Sequence, residues 1–212
     1  MRNILLTGFE PFDGQAINPS EEIAREINDA KIARHRIVGA LLPCVFGTAL
    51  KELKHQIKLH DPDIVICLGQ AGGRAEITPE RVAINLDDAR IPDNAGQQPI
   101  DKPVVKDGPA AYFSTLPIKA IVQELRKHDI PAAVSQTAGT FVCNHVFYGL
   151  MHELSTHREG VRGGFIHVPF VPEQTTDKPS LPFEKMTEAI RLAIAASVDY
   201  RRDVKSTGGQ VS

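Results

Sequence analysis

The chain has 212 residues, 42% of them apolar and 24% charged, and carries a net charge of −2. That is the composition of one globular domain with room for a sizeable core, and its scattered lysines and arginines argue against nucleic acid or an anionic membrane as a partner. Three cysteines, Cys44, Cys67 and Cys143, without paired spacing, fit free thiols in a reducing cytoplasm.

Residues 2–7 read as a short apolar strand, too short for a signal peptide, ending in a loop at 8–14. Asn18-Pro19-Ser20-Glu21 then marks a helix start: Asn18 caps, Pro19 suits the first helical position, and Glu21 and Glu22 complement the dipole. A second strand is predicted over 35–42. Leu50, Leu53 and Ile57 stripe a helix that Asp61-Pro62 stops. The uncharged stretch 39–50 contains Pro43 and Gly47, so no membrane span is expected. Residues 63–68 form a buried strand rich in β-branched side chains, and Val82, Ile84 and Leu86 alternate as a strand with one wetter face.

Pro117 opens a helix carrying Ile118, Ile121, Val122 and Leu125, and 130–135 is the next predicted strand. A helix opens at Cys143, 165–168 is the last strand, and Phe183, Met186, Ile190 and Ile194 stripe a final helix. Strands alternating with helices of this length predict a single three-layer α/β/α domain over 1–200, with a mostly parallel central sheet. Residues 87–109 hold four prolines and little periodicity, which makes them a working loop or a disordered one, and 201–212 is a polar tail expected to be loose.

Cys143 closes the small and apolar run 139–142 and stands in the first turn of its helix, where the dipole favours a thiolate nucleophile. The competing reading is an inert core thiol. His167, at the end of a buried strand, tips the balance, because nucleophile first and histidine on a later strand is a chain order that cysteine hydrolases use. His145, two residues from Cys143, falls on roughly the opposite side of the helix and reads as a surface residue. A carboxylate to orient His167 can come from Glu80, Glu76, Asp87 or Asp88, with a surface salt bridge to Arg81 as the bland role for Glu80.

His152 and His157 are five apart, the wrong spacing for zinc on one helical face, so no metal is expected. The Gly69–Arg74 turn follows a buried strand, a usual ligand position, but its glycines match neither a phosphate loop nor a dinucleotide fingerprint.

Six ordered blocks between residues 4 and 195 resemble the pyroglutamyl peptidase I family of cysteine peptidases. They are TGFEPF with Asn18-Pro19-Ser20, LGQAGGR ending at Arg74, PERVAIN from Pro79, DARIPDN from Asp88, GTFVCN around Cys143, and FIHVP around His167. The resemblance implies Cys143 as nucleophile, His167 as base and Glu80 as the orienting carboxylate, acting on peptides with an amino-terminal pyroglutamate and needing no cofactor. It also implies an arginine beside the site at Arg90, pocket walls at Phe9, Phe12, Phe141 and Val142, and a polar lining at Asn18 and Gln70. The implied fold resembles nucleoside phosphorylases and the implied assembly is a homotetramer. Glu21 departs from the family, many of whose members carry an aromatic residue there. Two other readings keep the same residues: a cysteine amidase acting on another small amide, and a binding protein with an inert Cys143.

Overall fold

The computed structural model describes residues 2–209. Eight strands and five helices follow in chain order: β1 (Arg2–Phe9), α1 (Pro19–Ile27), β2 (Lys31–Ile32), β3 (His35–Leu42), α2 (Thr48–His60), β4 (Ile64–Gln70), β5 (Thr78–Pro79), β6 (Val82–Ile84), β7 (Ala111–Phe113), α3 (Ile118–Lys127), α4 (Val142–His157), β8 (Arg162–Val168) and α5 (Phe183–Asp199). The main sheet has the order β2-β3-β1-β4-β8-β5 and is parallel through β3, β1, β4 and β8, with short antiparallel strands at both edges.

Alternation along the central strands sorts the core into two halves. Ile4, Leu6, Ile64, Ile66, Leu68, Ile166 and Val168 face α1, α3 and α5. Leu5, Phe9, Val65, Cys67 and Phe165 face α2 and α4. A strand buried on both faces must be apolar at nearly every position, and β1, β4 and β8 are. The period of two then decides where the polar exception at the end of β8 goes: His167 lies two residues past Phe165 and so faces α4. The chain steps from β1 to β3 on one side and returns to β4 on the other, so the loops after β1 and β4 diverge at the carboxyl edge of the sheet. Open α/β sheets bind ligands at such a crevice.

Helix starts follow the expected chemistry. Asn18 Oδ1 accepts the Ser20 amide at 3.1 Å ahead of Pro19, and α2 ends at Asp61 in a left-handed conformation just before Pro62. Glu21 lies on the surface and pairs with Arg25 at 2.8 Å.

Two predicted strands take other forms. Residues 130–135 run beside 77–81 with only isolated bridges at Ile77–Ala132 and Glu80–Ser135. Amide bonds form from Ile77, Ala133, Ser135 and Arg81, but Pro79 has no N–H to continue the ladder. The alternating stretch at 82–86 leaves the main sheet as well: Val82–Ile84 pairs with Ala111–Phe113 in a separate antiparallel hairpin. The long segment 87–109 is pinned to the body, with Asp93 accepting amides from Phe46, Ala95 and Gln97 and Asn94 donating to Glu10 and Pro11. Beyond α5, Asp203 caps the start of α3 through the amides of Lys119 and Ala120. The Gly208 carbonyl accepts from Arg81 and Gln136. Residues 203–208 thus lie along the body, and the end of the expected tail, 210–212, falls outside the described residues.

Candidate active site

The carboxyl ends of β4 and β8 bring the candidate groups together. Gly69 is the register partner of His167, and a β-carbon on Gly69 would lie 2.8 Å from Cys143 Sγ and 2.7 Å from the Phe165 ring. The Cys143 sulfur therefore rests on a strand position left bare, one strand from the histidine, or about 4.8 Å across the sheet. On the far side of β8, β5 returns antiparallel with Thr78 opposite His167. Two residues along the same face, Glu80 Oε1 accepts from His167 Nδ1 at 2.7 Å. Of the four carboxylates the sequence leaves open, Glu80 is the one bonded to His167. Asp87 bonds His145 at 2.8 Å and Asp88 is exposed.

Cys143 is the second residue of α4, which starts at Val142 with no side-chain cap and no acidic residue in its first turn. The amides of Val142, Cys143 and Asn144 precede the first intrahelical bond and are available to an anion. Neighbouring bonds fix this turn. The Asn144 side chain accepts the Ile84 amide and donates to the Ile84 and Leu86 carbonyls, while Thr140 exchanges bonds with Asp88. His145 is buried, which corrects the surface reading. Its Nδ1 meets Asp87, its Nε2 accepts the Gly47 amide at 3.0 Å, and Phe46 packs edge-on against its ring. At His145 the helix side opposite Cys143 is covered by the segments around residues 46 and 87.

Protonation is set mainly by burial. Burial pushes the His167 imidazole below its ordinary value; the Glu80 bond and charge pull the other way without offsetting it, and Arg74 pushes it further down. Burial alone would raise Glu80, but the hydrogen bond and charge of His167, then the Ser135 hydroxyl and Arg74, hold its carboxyl below the usual range. Ser135 Oγ donates to the Thr137 carbonyl at 3.0 Å and leaves Glu80 Oε2 without a donor; a turn of that hydroxyl would satisfy it. Burial also raises the Cys143 thiol, helped by Cys44 and Glu80 and opposed by Arg74. Cys143 nevertheless keeps a partly exposed surface. Both shifts favour a thiol beside a neutral imidazole, against the pull of the helix dipole toward thiolate, and Cys143 has no hydrogen bond to His167 among the described residues.

A profile of the pyroglutamyl peptidase family matches residues 2–200. The chain belongs to that family. A pyrrolidone-carboxylate peptidase of Bacillus licheniformis is 54% identical over 213 residues, spanning 100% of this chain and 99% of the relative. One of Yersinia pseudotuberculosis is 54% identical over the full length of both. The crystal structure of Bacillus amyloliquefaciens pyroglutamyl peptidase I superposes with a TM-score of 0.94 at 52% identity, covering 96% of this chain and 100% of that one. A mutant pyrrolidone carboxyl peptidase of Pyrococcus furiosus gives 0.91 at 43%, covering 93% and 98%.

The family's expected pocket residues take different positions here. Phe12 and Phe141 pack together with ring centres 6.0 Å apart, beside Phe46, which the sequence does not single out. Phe9 is 1% exposed and Val142 fully buried, so neither presents a surface to a ligand. Gln70 Oε1 accepts Gln174 Nε2 at 2.7 Å, another partner the sequence does not reveal. Asn18 is buried, with its oxygen on Ser20 and its nitrogen on the Glu10 carbonyl. Arg90 is exposed, and among the described residues only its backbone carbonyl is bonded, by Gln98. A surface hollow lined by Arg81, Phe113, Pro117 and Asp203 contains none of these groups.

Proposed function

We propose that Cys143, His167 and Glu80 form the triad with which this pyroglutamyl peptidase cleaves the first peptide bond after an amino-terminal pyroglutamate. The chain is a cysteine exopeptidase by family. The observation that carries the assignment of roles is the convergence of three elements: the Cys143 sulfur over Gly69, His167 on the register partner of Gly69, and Glu80 at 2.7 Å on the far ring nitrogen.

With Nδ1 donating to an ionised Glu80, His167 Nε2 is unprotonated and can take the Cys143 proton. Because thiol and imidazole are both neutral at rest, that transfer accompanies attack of sulfur on the pyroglutamyl carbonyl. The amides of the first turn of α4 meet the developing oxyanion. His167 then protonates the departing amine, and water, deprotonated by His167, hydrolyses the thioester. Glu80 keeps the ring oriented and stabilises its charged form.

The lactam is neutral and flat. Phe12 and Phe141 offer it apolar walls, with Phe9 and Val142 buried behind them and Gln70 as polar lining. Arg90 is exposed, and its place beside the site rests on the family resemblance. The family resemblance extends this reading to a homotetramer on a nucleoside-phosphorylase-like scaffold with 1–200 as the catalytic domain, and the three free thiols suit a reducing cytoplasm.

The test is kcat/KM for pyroglutamyl and prolyl versions of one fluorogenic amide. Proline lacks the ring carbonyl and brings a charged amine into an apolar pocket, so discrimination of ~10⁴-fold or more is expected. Comparable values would overturn the lactam pocket.

A further inference from the structure

The Glu80 carboxylate serves two donors through one oxygen. Oε1 accepts from His167 Nδ1 and from Arg74 Nη1, each at 2.7 Å. The same arginine nitrogen donates to Thr78 Oγ1 at 2.7 Å, and Nη2 donates to the Thr137 carbonyl at 2.9 Å. Arg74 therefore ties the loop after β4 to β5 and to the approach to α4, with Glu80 in the middle. Thr78 and Thr137 would suffice to anchor a loop. The additional bond goes to a buried carboxylate whose other donor is the histidine.

We propose that Arg74 is a positioning residue of the triad: it fixes Glu80 Oε1 against His167 Nδ1 and balances the carboxylate charge, so that Glu80 orients the imidazole without making it a permanent cation. This inference rests on the triad reading above. The groups acting on the pair are few. Glu80 and Arg74 face His167, while Cys44, Cys67, Glu80 and Arg74 act on Cys143, and Arg74 is the cation among them. An unopposed carboxylate at 2.7 Å would favour imidazolium, which cannot accept the thiol proton. The guanidinium also favours sulfur as thiolate. Both effects bring the pair into its reactive form at lower pH.

The test follows two pH profiles in the full-length enzyme: kcat/KM on a pyroglutamyl amide, and the rate of Cys143 alkylation by iodoacetamide. Arg74→Gln is expected to move both profiles to higher pH by roughly one unit, the scale of an ion pair at this distance. Arg74→Lys, which keeps the charge and loses the fork, should hold the limbs near wild type with a lower plateau. Arg74→Met gives the same reading as Gln should Gln not fold. Unmoved limbs in the charge-removing variant, with only a lower plateau, would reduce Arg74 to a loop anchor and overturn the proposal. His167→Ala separates this from failure of the triad. If His167→Ala shifts the alkylation profile and Arg74→Gln does not, Arg74 alone is misassigned. If His167→Ala shifts nothing, the triad reading falls with it.

Discussion

Two buried histidine–carboxylate pairs stand close together, and as pairs they are almost the same. His167 Nδ1 meets Glu80 Oε1 at 2.7 Å and His145 Nδ1 meets Asp87 Oδ2 at 2.8 Å; in each, the second carboxylate oxygen lacks a donor. The difference is at the other ring nitrogen. His145 Nε2 is occupied by the Gly47 amide at 3.0 Å, whereas His167 Nε2 has no partner among the described residues. A histidine with both nitrogens committed is a strut between segments; one with a spare lone pair beside a thiol can move a proton. On the proposed triad, the carboxylate distance does not separate catalyst from strut, and the free nitrogen does.

The largest effects should fall on the free-nitrogen side. Cys143→Ala is expected to abolish turnover with thermal unfolding near wild type. His167→Ala should cost ~10²–10⁴-fold in kcat, the usual value of a general base, and more than Glu80→Gln. Cys44 and Cys67 make the contrast: burial pushes both thiols up to about 12, so neither supplies thiolate at neutral pH. Their alanine variants should lower the melting temperature and leave kcat per folded molecule little changed. Wild-type turnover in purified Cys143→Ala would end the mechanism.

Gly69→Ala comes next. Its β-carbon would meet Cys143 Sγ at 2.8 Å and the fully buried Phe165 ring at 2.7 Å, so the sulfur or the ring must move. A displacement near 1 Å at a reacting atom costs about 10²-fold. Loss of kcat without a matching rise in KM is the expected pattern; an unchanged kcat would mean that Cys143 does not react from the position seen here.

Why His167 and Cys143 were legible, and their partners less so, follows from range. Strand period places His167 on the face of Phe165, and a helix start places Cys143; both are local signals. Glu80 depends on β5 returning antiparallel beside β8, with 87 residues between the carboxylate and its histidine. Composition cannot rank it above Glu76 or Asp87 without that pairing. Arg74 bonds Thr137 across 63 residues and gives no local sign. His145 is misread because helical periodicity gives the angle between residues and not what covers each side. The strand at 130–135 has the right side chains, but its partner's proline breaks the ladder.

His145→Ala should separate strut from catalyst on the other side of the comparison. Removing the ring strands a buried Asp87 and the Gly47 amide, a loss of about 1–3 kcal/mol in folding stability measured by urea unfolding. The rate per folded molecule should fall far less than in His167→Ala. The pH dependence of stability adds a second mark for His167. Its folded value lies below the ordinary 6.5, so in that window the unfolded chain binds the extra proton and stability falls as pH drops through it. Glu80 adds a further loss below its ordinary 4.5, as its lowered carboxyl is finally protonated. His167→Asn should flatten the urea midpoint below about pH 6.5; an unchanged slope would mean that the imidazole is not held neutral by the fold.

The smallest effect asks on which side of the comparison Asn18 belongs. The family resemblance puts it in the polar lining, yet its oxygen accepts from the Ser20 amide and hydroxyl at 3.1 and 2.8 Å, and its nitrogen donates to the Glu10 carbonyl at 3.1 Å. Those bonds cap α1 and hold the base of the loop that carries Phe12. Serine caps about as well as asparagine, whereas alanine loses ~1 kcal/mol. If Asn18 is a strut, Asn18→Ala should lower the unfolding midpoint by that amount and Asn18→Ser should recover most of it, with KM for a pyroglutamyl amide moving little in either. A contact with the lactam predicts the reverse: serine is too short to reach the ring, so KM would rise in both variants whatever the cap did for stability. The KM of Asn18→Ser against that of the wild type therefore decides the role even though both substitutions are mild, because the shorter side chain restores the cap and not a contact with the ring.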